Sequence, residues 1–194
     1  MKNNYGGNVM GLVHDFNKEL SLWFNAHGIT NLEFVEGEDF CYYQNQHIVQ
    51  WGMFETPRLD ANFRQFFHEY GLKDDDIHIF MLSLLHEVGH YMTLHYFSDE
   101  EVDKDTVAKE NRLSDRTIDT DYWYWELPIE FDANMWAINF INKNPDWMVS
   151  LSRLCQGYLY QIFNDENILE QLADWRYDME NGEDYYELVI EEDD

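Results

Sequence analysis

Positive charge is what this 194-residue sequence has least of. Twelve lysines and arginines stand against 39 aspartates and glutamates, a formal net charge of −27. A surface that negative repels phosphate backbones, which argues against direct nucleic-acid binding and favours cations or basic protein segments as partners. Cysteine is scarce too: Cys41 and Cys155 form no CxxC pair. Each sits among aromatic or aliphatic neighbours, where a free thiol behaves as a small buried hydrophobe. That usage suits a reducing compartment, and a cytoplasmic location is the expectation. No apolar run reaches the length of a membrane span, and "MKNNYGGNVMGLVHDF" lacks the basic-then-apolar pattern of a secretory signal. Neither a G-x-S-x-G elbow, a Walker-type loop nor a zinc-finger pairing is present.

What is present is a core. Hydrophobic residues make up 45% of the chain and aromatics 17%, which excludes wholesale disorder despite the acidity. The length suits one domain, residues 1–194. Val9, Leu12, Val13, Phe16, Leu20, Trp23 and Phe24 recur at helical spacing and Gly28 stops them. "NLEFVEGEDFCYYQNQHIVQWGMF" reads as two or three short antiparallel strands. Pro57 opens a short helix with Leu59, Phe63, Phe66 and Phe67 on one side, closed by Gly71. A long helix begins near Asp76, its entry favoured by the carboxylates of "KDDD". Residues 98–121 are acidic, mixed in sign and without apolar periodicity, so they read as a surface excursion containing one short helix. A further helix starts at Pro128, and Asn144 and Pro145 open the next. A last helix is expected over 166–179, and the acidic stretch 183–194 is an edge strand or a tail. The expectation is an α+β fold, mostly helical, with a small antiparallel β-sheet.

The chemistry concentrates in "LSLLHEVGHYMTLHYF", residues 82–97. On a helix, positions i and i+4 share a face, so His86 and His90 can present two imidazoles to one metal ion. Glu87 lies to the side of that face, placed to take a proton from a metal-activated water. Gly89 lets another element or a substrate approach the backbone closely. The surrounding helix is apolar on nearly every side, and buried histidines and a buried glutamate need partners that a metal supplies.

Hydrolytic zinc requires a third protein ligand and one open position. His95 is nearest in sequence but turns away from the ligand face, and Thr93 and Tyr96 stand where a longer zincin signature requires glycine and histidine. A carboxylate from a second helix is the other solution. Of Glu126, Glu130 and Asp132 in "ELPIEFDANMWA", Glu126 precedes Pro128 and Asp132 faces another way. Glu130, in the first turn beside the apolar stripe, is the chosen ligand, and Asn134 one turn on is placed to orient a ligand. Tyr91, His95 and Tyr122 are open candidates for stabilising an oxyanion. The aromatic run Tyr122, Trp123, Tyr124, Trp125 reads as packing before cleft lining.

HExxH followed by a helix bearing E-x-x-A-N-x-[FW]-A, here "HEVGH" and "EFDANMWA", resembles the ImmA/IrrE family of gluzincin-type metallopeptidases. The resemblance implies a zincin-like fold, zinc held by His86, His90 and Glu130, and Glu87 as general base. It also implies a cytoplasmic protease of bacteria, phages or mobile elements acting on a protein substrate such as a regulatory repressor. Asp132 replaces the family's usual glutamate or glutamine, the spacer between the motifs is longer, and no helix-turn-helix segment is evident. A basic substrate would suit the charge of the chain. Two other readings stand beside it: a zinc-binding regulatory module without turnover, and an acidic decoy for a basic partner. Oligomeric state is not legible.

Overall fold

Phe16, Leu20 and Phe24, none with any exposed surface, line one side of helix α1 (Gly6–Ala26) and set the floor of the core. Gly28 ends that helix at φ +85°, a left-handed turn that lets the Ile29 N–H return to the Phe24 carbonyl. The computed structural model describes residues 6–37, 40–52, 57–73, 77–113 and 124–163. The expected helix over 166–179, the 183–194 segment, Tyr122, Trp123 and the carboxylates of residues 74–76 lie outside these.

Three strands follow: β1 (Glu33–Glu36), β2 (Cys41–Tyr43) and β3 (Ile48–Trp51). Their order is β1-β3-β2, and the sheet is mixed, not antiparallel as expected. β2 and β3 form an antiparallel pair, whereas β1 runs parallel to β3 in the register Glu33 to Ile48. Burial explains the arrangement. Val49 and Trp51 of β3 are wholly inside and take the centre, while half-exposed β2 is left at an edge. The alternation of apolar residues reports which face is buried but not which neighbour a strand pairs with.

Helix α2 (Pro57–Glu69) buries Phe63, Phe66 and Phe67 and closes through Gly71 at φ +100°. Helix α3 (Ile79–Thr93) starts three residues later than expected. Its cap is His78, whose Nδ1 accepts a hydrogen bond from the Phe80 N–H at 3.1 Å, with no acidic residue in the first turn. Burial, aided by nearby Arg64, pushes the His78 pKa down to about 4, so the ring stays neutral and Nδ1 keeps its lone pair. From Ile79 to His90 every residue of α3 is buried.

The described part of the expected excursion, residues 98–113, is more than a surface loop. Asp99–Leu113 is a 15-residue helix, α4. Ser98 and Glu101 form a reciprocal capping box: the Ser98 N–H donates to Glu101 Oε2 at 2.8 Å and the Glu101 N–H to Ser98 Oγ at 3.4 Å. The inner face of α4 uses Asp105 and Lys109 where an ordinary helix uses apolar side chains. Helix α5 (Pro128–Lys143) lies along α3, and α6 (Pro145–Phe163) along α1. Asn144 divides its groups between two helices: its side-chain amide donates to the Phe140 carbonyl, and its own carbonyl accepts from Trp147 and Met148. Among the described residues no helix is long and apolar enough to cross a membrane, and no disulfide joins Cys41 and Cys155.

Candidate metal centre

Two helices meet at a point where only the smallest side chains fit. A Cβ on Gly89 of α3 would stand 2.9 Å from both the carbonyl carbon and the Cα of Ala133 on α5, and closer still to the Ala133 oxygen. Glycine at 89 therefore permits α3 and α5 to touch backbone to backbone. On α5, Glu130 lies one turn before that contact and Asn134 directly after it, and His86 and His90 flank it on α3. The crossing point thus delivers four polar side chains into one buried space.

Their atoms converge closely. Glu130 Oε2 lies 3.0 Å from His86 Nε2 and 3.4 Å from His90 Nε2, and the two imidazole nitrogens are 3.1 Å apart. Glu87 Oε1 is 3.8 Å from His86 Nε2, and His86, Glu87 and His90 offer ligand atoms all within 4.8 Å of one another. Asn134 Oδ1 accepts from His86 Nδ1 at 2.7 Å. With its proton on Nδ1, the neutral His86 ring turns the Nε2 lone pair toward His90 and Glu130.

The donor set fits a metal ion. Glu130 is 1% exposed, and its Oε2 accepts no aligned hydrogen bond although two ring nitrogens face it. A proton on one imidazole would satisfy a single edge of this triangle; a cation satisfies all three corners at once. Ligand atoms held about 2.0–2.2 Å from a tetrahedral zinc stand roughly 3.3–3.6 Å apart, close to the spacing found here. Two imidazoles and one carboxylate are also a donor set that zinc accepts with a position left open. The side chains of Glu87 and His90 are about a tenth exposed and those of His86 and Glu130 less, so the opening lies on the Glu87–His90 side.

The electrostatics of the cluster follow from the same contacts. Burial pushes the Glu130 carboxyl up, but the His90 and His86 rings outweigh it and hold it well below the usual carboxylate range. For His86 burial works downward, and Glu130 and Glu87 outweigh it to raise the imidazole pKa. Glu87 is raised by burial, which the two imidazoles only partly offset. Burial and the carboxylates of Glu130, Glu87 and Asp105 together raise the Tyr124 phenol, so it remains a proton donor.

Of the sequence candidates, the structure brings His86, Glu87, His90 and Glu130 together, with Asn134 behind His86. Of the three candidates for an oxyanion donor, Tyr91 and His95 are not brought there. Tyr91 donates its hydroxyl to the Thr30 carbonyl at 2.8 Å, against the strand side of α3. His95 is exposed on a single 3-10 turn after α3 and lies against Tyr96. Tyr122 falls outside the described residues. Lys109 escaped the sequence reading, and Tyr124 and Trp125, read first as packing, also border the site. Lys109 of α4 makes a short contact with Glu130 Oε1 and lies 2.8 Å from Asp105 Oδ2. Tyr124 is close enough to Glu130 for that carboxylate to raise its phenol, and it lies under Lys109, whose Nζ is 5.5 Å from its ring centroid. Trp125 packs on Phe63 at 4.6 Å and edge-on to His86 at 5.9 Å, walling one side. A readable signal for Lys109 did exist: the S-x-x-E capping box at 98–101, followed by an Asp105–Lys109 pair at i,i+4.

Comparisons with family models, with curated proteins and with solved structures find no match to the chain. The geometry therefore carries the functional argument.

Proposed function

We propose that this chain is a zinc-dependent metallopeptidase with a zincin-like arrangement of helices, of the ImmA/IrrE type its two motifs resemble. The observation that carries the reading is the buried triangle of His86 Nε2, His90 Nε2 and Glu130 Oε2, with edges of 3.0–3.4 Å and Glu87 at its open side. Zinc bound there supplies a Lewis acid that lowers the pKa of a water toward about 7. Glu87 accepts the proton of the attacking water and passes it to the departing amine. Asn134 fixes the tautomer and orientation of His86. Tyr124 keeps its proton and is a phenol able to donate toward charge that develops on a peptide oxygen. Trp125 and Phe63 keep bulk water from the back of the imidazoles.

The net charge of −27 suits a basic protein or peptide substrate in the cytoplasm, a repressor-like regulator among them. The test is cleavage of a lysine- and arginine-rich peptide pool by zinc-loaded protein and by its Glu87→Gln variant. The variant should keep its zinc and lose on the order of 10²–10⁴-fold in rate. Zinc-loaded wild-type protein that cleaves nothing in such a pool, or a Glu87→Gln variant of full activity, would remove the peptidase assignment.

A further inference from the structure

Glu130 divides its two oxygens between opposite partners. Oε2 faces both imidazoles, whereas Oε1 is in contact with the Lys109 ammonium. Lys109 is itself held at 2.8 Å by Asp105, one turn earlier on α4. Asp105 is buried, and its other oxygen, Oδ1, has no hydrogen-bond partner among the described residues. A carboxylate buried on the inner face of an otherwise polar helix is costly unless it has a task. Here the task is to aim a lysine. The opposite ends of the chain of contacts also lie on different elements: Asp105 and Lys109 on α4, Glu130 on α5, the imidazoles on α3.

We infer that Lys109, aimed by Asp105, is a positioning residue of the metal centre: it holds Glu130 Oε1 so that the third ligand offers the metal one oxygen and not two. Helix α4 is on this account a structural part of the centre. A carboxylate free at both oxygens rotates and chelates through both; one anchored through Oε1 presents Oε2 alone and leaves the remaining position open for water. Charge agrees with this arrangement. With neutral imidazoles, Glu87, Glu130, Asp105 and Lys109 sum to −2, which a divalent cation offsets. The inference rests on the metal-centre part of the reading above and not on peptidase activity.

The experiment uses the full chain loaded with zinc, and separately with cobalt(II) as a spectroscopic probe. Lys109→Met is expected to bind zinc about 10–100-fold more weakly in a chelator competition. Its cobalt(II) visible bands should also weaken as Glu130 engages through both oxygens and coordination rises above four. Lys109→Arg, which keeps the charge and the donors, should restore both readouts. A purely structural role for Lys109 would leave the cobalt spectrum unchanged. Wild-type zinc affinity and an unaltered spectrum in Lys109→Met would overturn the inference while leaving the metal centre standing. Wild-type protein that binds no zinc would overturn both. Should Lys109→Met not fold, Asp105→Asn is read instead: weaker zinc binding supports the clamp, and unchanged binding refutes it.

Discussion

Gly89→Ala is the smallest change that tests how the centre is assembled. Carbon atoms settle in contact at about 3.5–4.0 Å, and an alanine Cβ at 89 would meet two Ala133 carbons at 2.9 Å. The obstacle is backbone, so it cannot swing aside, and α3 and α5 must part by at least about 0.6 Å. Two opposing terms set the stability. Alanine in a helix interior gains about 1 kcal/mol over glycine, whereas overpacking a filled contact costs about 1–3 kcal/mol. The expected net loss is about 1 kcal/mol, read as a lower urea midpoint for metal-free protein. Zinc affinity is the sharper readout. A displacement near 0.6 Å exceeds the roughly 0.5 Å within which a site of this kind holds its geometry, and Glu130 sits one turn from the contact. Zinc binding should therefore fall more than stability does. A Gly89→Ala protein more stable than wild type and equal in zinc affinity would refute the backbone-contact argument.

Other consequences are equally checkable. Asn134→Ala leaves His86 free to turn and should weaken zinc binding about 10–100-fold, measured by chelator competition. Ser98→Ala removes one half of the capping box on α4 and should cost about 1 kcal/mol, as caps commonly do; chemical denaturation reads it. His78 gives an acid-sensitive limb to the stability curve. Its folded pKa of about 4 lies below the ordinary imidazole value of 6.5, so the unfolded chain takes up the proton first. Stability is full above that value and declines as pH falls from about 6.5 to about 4, by on the order of 3 kcal/mol. His78→Asn, which keeps an acceptor at the cap, should flatten that limb in denaturant titrations at stepped pH.

How much of this was legible in the sequence follows from which interactions are local. Helices α1, α2 and α5 announce themselves through the spacing of Phe16, Leu20 and Phe24, of Phe63, Phe66 and Phe67, and of the residues after Pro128. The pairing of His86 with His90 is fixed by one turn of helix, and Gly89 by the need for close approach. The mixed sheet was not readable, because the choice of β3 over β2 as partner for β1 is a matter of tertiary burial at Val49 and Trp51. Helix α4 is longer than the short helix expected there because apolar periodicity passes over a helix whose inner face is Asp105 and Lys109. The cap of α3 is a neutral, buried His78, which no signal in the sequence names, whereas the acidic run expected to favour the entry lies outside the described residues. Tyr124 was passed over as packing because its relation to Glu130 depends on how the chain enters α5, which no spacing rule states.

The central claim is that His86, His90 and Glu130 hold one zinc ion. The most direct test is a crystal structure of zinc-loaded protein with anomalous data collected on both sides of the zinc absorption edge. The account requires a single zinc peak about 2.0–2.2 Å from His86 Nε2, His90 Nε2 and Glu130 Oε2, with Glu87 beside it and not bonded to it. Zinc-loaded crystals with no peak among these three side chains, or a peak ligated elsewhere in the chain, would contradict it.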